Sequence, residues 1–250
     1  MPRPTRFDPR PRRRPAGPWR NGPIPVIGLI GGIGAGKSLA ASALADLGAF
    51  LLDADAIGHV LLDQHPCRDR ALERFGEGIL APMPEVEGTR RTIDRRALGS
   101  IVFSRPEALR DLESILHPTM LRTFAKAIAR ETRRARHPAV VLDAAILYEA
   151  GWDTLCDTVV FVDAAAETRL ARLEAARGWT AEGLAAREKV QGPPEEKRRQ
   201  ADHILTNDGT PEAFRVAVEA LWPRLIARPR RDRKADPAGT GPGARGQPPP

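Results

Sequence analysis

Gly31, Gly36, Lys37 and Ser38 stand at the spacing G-x-x-x-x-G-K-S, with two further glycines at Gly32 and Gly34. Residue types in that order suit the holding of a nucleoside triphosphate. Glycines let the backbone curl until successive N–H groups point at a phosphate. Lys37 has the reach and charge for the β- and γ-phosphates, and Ser38 offers a hydroxyl to Mg²⁺. Ahead of the loop, the run Ile24-Pro25-Val26-Ile27-Gly28-Leu29-Ile30 reads as a strand, and behind it Leu39, Ala40, Ala43, Leu44 and Leu47 recur at helical spacing. A helix starting near Gly36 turns its positive end to the same anion.

The elements that must position this loop are legible as alternating apolar runs and helical patterns. After the first strand come Phe50-Leu51-Leu52-Asp53, Ala139 to Asp143, Thr158 to Asp163 and His203-Ile204-Leu205-Thr206. Five short strands, apolar throughout, suit a parallel sheet buried on both faces, hence an α/β fold. Three of them end in an acid, Asp53, Asp143 and Asp163. Ligands of such sheets sit outside the carboxyl ends of the strands, so these acids are expected to face the bound phosphates.

Residues from about 56 to 137 are far more than one crossover helix needs, and an acceptor-binding insertion is expected there. Within it, Asp94 stands where a helix starts, Pro106 where another has its first turn, and Leu109, Leu112 and Leu116 form a stripe. His117-Pro118 is expected to break that helix before a last one from about Thr119 to Arg136, and residues 81–88 read as a loop. Between the fourth and fifth strands, the stretch from about 172 to 198 is rich in arginine and interrupted by glycine and proline. It reads as a lid that brings cations to a migrating phosphoryl group and excludes water, although a solvated charged face is the alternative for any one arginine.

The formal net charge is +7 and the sequence pI about 10.2. Residues 1–23 contribute +6 and residues 228–250 contribute +4, which leaves residues 24–227 slightly acidic. Both ends are Pro- and Arg-rich with few apolar residues, and disordered tails flanking one domain at 24–227 are expected. No nucleic acid is required by that charge pattern. The N-terminus lacks an apolar leader and no run reaches membrane-spanning length. Cys67 and Cys156 have neither metal-ligand nor redox spacing, which suits reduced thiols in a cytoplasm.

Taken in order, several motifs resemble the dephospho-coenzyme A kinases, from about Pro25 to Ile226. They are the glycine loop GGIGAGKS, Asp53-Ala54-Asp55, Asp94-Arg95 with Leu98 and Phe103, Leu112 to His117-Pro118, Asp143 to Glu149, the stretch from Arg172 to Lys197, and Ala201-Asp202 with Asn207. Two positions depart from the family pattern: Leu39 where Thr is more usual, and Ala145 where Pro is. The resemblance implies a three-layer P-loop NTPase fold with a helical acceptor-binding insertion and an Arg-rich lid. It also implies transfer of the γ-phosphate of ATP, with Mg²⁺, to the ribose 3′-hydroxyl of dephospho-coenzyme A by a monomer or weak homo-oligomer.

On that footing Gly32, Ile33, Gly34, Ala35, Gly36, Lys37, Ser38 and Leu39 contact the nucleotide, joined by Arg177 and by Asn207 near the adenine. Ser38 is the metal ligand, and Lys37, Arg172 and Asp55 are catalytic, Asp55 as the base that aligns and deprotonates the acceptor hydroxyl. Asp53 and Asp55, two apart, share one side if the strand persists, but an acid just before a helix is also a cap, and that reading stays open for both. Arg95 and His117 meet or support the acceptor. Asp143 and Glu149 hold the acceptor, order water about Mg²⁺, or tie down loops. Outside this family, another P-loop nucleotide or small-metabolite kinase, or an ATP-dependent nucleic-acid-binding module, shares parts of the pattern.

Overall fold

The computed structural model describes residues 19–82, 91–191 and 194–227. The elements follow in the order β1 (Val26–Gly31), α1 (Lys37–Asp46), β2 (Phe50–Asp53), α2 (Ala54–Leu62), α3 (Cys67–Phe75), α4 (Arg95–Ser104), α5 (Pro106–Arg134), β3 (Val140–Asp143), β4 (Thr158–Asp163), α6 (Ala166–Arg177), α7 (Ala181–Gln191), α8 (Pro194–Gln200), β5 (His203–Thr206) and α9 (Pro211–Ile226). The five strands form one parallel sheet in the order β2-β3-β1-β4-β5.

Alternation along the strands divides the core. Ile27 and Leu29 of β1, Val141 of β3 and Val160 and Val162 of β4 point to a layer made by α1 and α9. Val26, Ile30, Val140, Leu142, Val159 and Phe161 point to the other, where Phe124 and Ile128 of α5 and Trp152 lie. β1 and β3 are buried along their whole length, which is why their sequences read as unbroken apolar runs rather than alternating ones. Gly28 is needed for that packing, since a Cβ there would meet Leu147 Cδ2 at 2.7 Å.

The insertion has a core of its own, in which Leu62, Ala71, Ile79, Ile93, Leu98, Val102 and Ala108 pack together. Asp94 caps α4 by accepting from the amides of Arg96 and Ala97 (2.8 and 3.1 Å), and Pro106 opens α5. The expected break at His117-Pro118 is absent: α5 runs unbroken through Pro118. Proline removes one internal hydrogen bond and crowds the carbonyl four residues back. Here that local cost is overridden by burial of Ala108 and Ile115 ahead of the proline and Met120, Phe124 and Ile128 beyond it. The same helix thus belongs to the insertion core at its start and to the main core at its end. It stops at Ala135, whose φ of 45° leaves the helical region.

A second correction concerns the N-terminal boundary. Residues 19–23 were expected in a disordered tail, yet Trp19 and Gly22 form a bridge, Arg20 N donates to Asp157 Oδ1 (2.7 Å) and Asn21 Nδ2 donates to the carbonyl of Leu155 (2.7 Å). Asp157 also accepts from Val26 N, the first residue of β1 (2.8 Å), so one carboxylate ties this segment to the amino end of the sheet. The tail expectations for residues 1–18 and 228–250 lie outside the described residues, as does most of the loop expected at 81–88. Among the described residues, no helix is long and apolar enough to cross a membrane.

A chain of residues 19–227 should therefore match the full chain in stability, whereas one of residues 24–227 should be less stable by about 1–3 kcal/mol, the loss of two or three hydrogen bonds at net worth. Urea unfolding of the two truncated chains measures the difference, and equal midpoints would show that the Asp157 anchor contributes nothing.

Candidate active site

The glycine loop leaves β1 at Gly31 and enters α1 at Lys37, and its shape requires glycine at two points. Gly34 and Gly36 have φ of 78° and 96°, the left-handed region that side chains resist, and the amide of Ala35 closes a turn onto the carbonyl of Gly32 (3.0 Å). A Cβ on Gly36 would also come within 2.2 Å of Asn207 Nδ2. That amide is buried behind the loop, donating to the carbonyl of Ala35 (2.8 Å), while the backbone of Asn207 is held by the carbonyl of Asp163 (2.8 Å). Asn207, expected near the adenine, thus braces the glycine loop from the end of β5. Ser38 is exposed in the first turn of α1, whose leading amides have no carbonyl a turn behind them. Leu39 packs its side chain against the core and donates its N–H to the carbonyl of Gly36 (3.0 Å), so this position serves the helix.

Three carboxylates gather where β2 and β3 end. Asp53 and Asp143 are register partners on adjacent strands, and Asp143 is paired with the ammonium of Lys37. Burial raises the Asp143 carboxyl above its usual range; Lys37 opposes this, and the nearby charges of Asp53 and Asp55 add to it. The strand does not persist to Asp55. β2 stops at Asp53, which caps α2 by accepting from the amide of Ala56 (2.9 Å). Asp55 stands exposed in the first turn of α2 and points a different way, into the cavity of the insertion.

That cavity has a volume of about 730 Å³ and lies between α2, α4, α5 and the loop after β3. Asp55, Arg95, His117 and Glu149, four of the residues expected to serve the acceptor, line it together. The floor is apolar, built by residues such as Leu98, Leu112 and Leu116. His117 rests edge-on against Trp152, with ring centroids 5.1 Å apart, and burial pushes its pKa down. Two further groups on the wall, Arg110 and Glu113, were not foreseen. They lie seven and four residues before His117, in the helix already expected from the Leu109, Leu112 and Leu116 stripe, and helical spacing from His117 is the signal that points to them. Burial, then the charge of Glu149, raises the carboxyl of Glu113, with Arg110 opposing.

The stretch expected to act as a lid folds as three helices, α6 to α8. Arg169 donates to the carbonyl of Ile33 in the glycine loop (3.3 Å) and pairs with Glu188 of α7. Arg172 is turned to the Asn207 side, with Nη2 3.4 Å from both Asn207 Oδ1 and the carbonyl of Gly209, and its Nη1 is buried without a partner. The side chain of Arg177 lies outside the described residues. Arg198 pairs with Asp163 at the end of β4 (2.9 Å), and a polar recess of about 330 Å³ lies between Gly32, Asp163, Arg169 and Arg198. Lys197 of α8 is buried against the loop after β3. Sequence reading saw the lid's charge but not which cation meets which partner.

This arrangement can bind a polyphosphate at the head of α1, hold a second, elongated molecule in the insertion, and bring the two together at acidic strand ends. A family model described as dephospho-CoA kinase matches residues 25–212. A dephospho-CoA kinase from Symbiobacterium thermophilum is 41% identical over 198 residues, which cover 79% of this chain and 80% of that one. One from Geobacter metallireducens is 39% identical over 204 residues, covering 81% and 98%. Among solved structures, that of TT1252 from Thermus thermophilus superposes with a TM-score of 0.63 at 34% identity, covering 81% of this chain and 98% of that one. The dephospho-CoA kinase from Campylobacter jejuni gives 0.59 at 24% identity, covering 80% and 96%, and shares the fold.

The lowered pKa of His117 means that folding favours its neutral ring. Its contribution to stability is complete above the ordinary value of 6.5 and is lost as pH falls through that value toward the lowered one. The melting temperature of the unmodified protein should therefore fall more steeply between about pH 7 and about pH 5 than that of His117→Phe, which keeps the ring on Trp152 but cannot be protonated. Parallel curves would contradict this.

Proposed function

The chain belongs to the dephospho-coenzyme A kinase family, and we propose from this premise that it transfers the γ-phosphate of ATP to the ribose 3′-hydroxyl of dephospho-coenzyme A, giving coenzyme A and ADP. The observation that carries the reading is the cavity of the insertion, whose wall includes Asp55 and Glu149 beside the strand ends where Lys37 is held. The acceptor is a nucleotide with a long arm, and a cavity of about 730 Å³ with an apolar floor suits it.

Each group then has a task. Backbone amides of the glycine loop and the head of α1 hold the triphosphate, and Lys37 exchanges Asp143 for the β- and γ-phosphates. Asp55 accepts the proton of the 3′-hydroxyl as that oxygen bonds to the γ-phosphorus and the bond to the β–γ bridging oxygen breaks, the electron pair leaving with ADP. Arg169 and Arg198 supply cations from the lid. The unpartnered Nη1 of Arg172 is a donor for the nucleotide, and Arg95 and Arg110 are the cations on the cavity wall for the acceptor's diphosphate.

The residues present fit Mg²⁺: Ser38 is exposed in the first turn of α1, next in the chain to Lys37, and no group of three or more acidic, His or Cys side chains among the described residues forms a dedicated cage. That donor set suits an ion held mainly by phosphate oxygens and water, with Ser38 as its protein ligand. Bound there, Mg²⁺ neutralises charge on the β- and γ-phosphates. We place the enzyme in the cytoplasm, as a monomer or weak homo-oligomer that needs no nucleic acid; both cysteines are buried and unbridged, which suits a reducing compartment.

The test is ADP formation from ATP and Mg²⁺ with dephospho-coenzyme A, AMP, CMP or shikimate. Turnover should require the first, and comparable rates with any other would point to a different small-molecule kinase. Lys37→Ala should lower kcat by about 10²-fold or more. Asp55→Asn should lower it by roughly 10²- to 10⁴-fold with little change in either KM. Activity of Asp55→Asn within about threefold of the unmodified rate would remove this carboxylate from the chemistry.

A further inference from the structure

One excursion of the chain touches both substrate sites. At one end of it, α6 brings Arg169 to the carbonyl of Ile33 in the glycine loop (3.3 Å). At the other end, α8 packs over β1 and β4 and buries Lys197, which is 7% exposed. The Lys197 ammonium donates to the carbonyl of Ala145 (3.0 Å) and is paired with Glu149. Ala145 and Glu149 both line the acceptor cavity; Lys197 does not.

A buried ammonium is costly unless it is both paired and hydrogen-bonded. The seating of α8 is therefore coupled to the Ala145 carbonyl and the Glu149 carboxylate, which supply the acceptor and the counter-charge that Lys197 needs. The charge matters as well as the position. Glu149 acts electrostatically on Glu113 across the cavity, and Asp55 stands on the same wall. Without Lys197, Glu149 would add an uncompensated negative charge to a cavity that must admit a phosphate-bearing molecule.

We propose that Lys197 is a positioning residue through which the lid completes the acceptor cavity: it fixes the Ala145–Glu149 wall and neutralises it, so acceptor affinity depends on a lid side chain that touches neither substrate. The proposal rests on the reading that this cavity takes dephospho-coenzyme A. It separates the two ends of the lid, since Lys197 governs the acceptor while Arg169 lies on the nucleotide side.

Titration calorimetry of the full chain with ATP and, separately, with dephospho-coenzyme A tests it, together with steady-state kinetics. Lys197→Met should weaken dephospho-coenzyme A and raise its KM by about tenfold or more, while ATP affinity stays within about threefold. Lys197→Arg should recover most of the loss. The double variant Lys197→Met with Glu149→Gln should bind the acceptor no more weakly than Lys197→Met alone, because the two changes remove one shared interaction. If Lys197→Met does not fold by circular dichroism, Lys197→Gln, which keeps a donor for the Ala145 carbonyl, takes its place with the same expectations. Unchanged acceptor affinity, equal weakening of both ligands, or additive losses in the double variant would overturn the proposal. An unmodified enzyme that binds ATP but not dephospho-coenzyme A would instead overturn the functional reading on which it rests.

Discussion

The pairing of Lys37 with Asp143 states the electrostatic problem that the rest of the molecule is arranged around. A parallel sheet sends all its strand ends to one side, and here β2, β3 and β4 each end in an aspartate. These negative ends lie beside a loop built to receive a polyphosphate, which brings more negative charge. Each acid therefore has a partner of its own. Asp143 has Lys37 from the glycine loop, Asp163 has Arg198 from the lid, and Asp53 is turned aside to cap α2. Binding of a nucleotide draws on the same cations, so the strand-end acids and the phosphates compete for them. Burial raises the Asp143 carboxyl above its usual range, and Lys37 is the charge that opposes this.

The sheet and its loop were readable because each depends on local pattern. Strand runs buried on both faces carry their identity in a few consecutive residues, and the glycine spacing is dictated by backbone shape at Gly34 and Gly36. Where local pattern and structure part, tertiary packing overrides local preference. His117-Pro118 signals a helix end locally, yet the burial of Met120, Phe124 and Ile128 keeps α5 continuous. Asp53 and Asp55 would share one side only if the strand continued past Asp53. The chain turns helical at Ala54, so one became a cap and the other a cavity wall. The lid's arginines were evident as a group, but partner choice depends on contacts far apart in sequence, such as Arg169 with Ile33 and Lys197 with Ala145. Nothing in the local sequence distinguishes those cations from their neighbours.

α5 begins in the insertion core and ends against the sheet, so the cavity of the insertion is joined to the sheet by one continuous helix. The stretch α6–α8 meets the glycine loop through Arg169 and the loop after β3 through Lys197.

The account's central claim is that the phosphate held at the head of α1 is delivered to a ribose hydroxyl held in the insertion. Phosphorus NMR of the product made from ATP and dephospho-coenzyme A tests this most directly. The account predicts one new phosphomonoester, scalar-coupled to the proton on the 3′ carbon of the acceptor ribose. Inorganic phosphate as the main product, or a monoester at another hydroxyl, would contradict it.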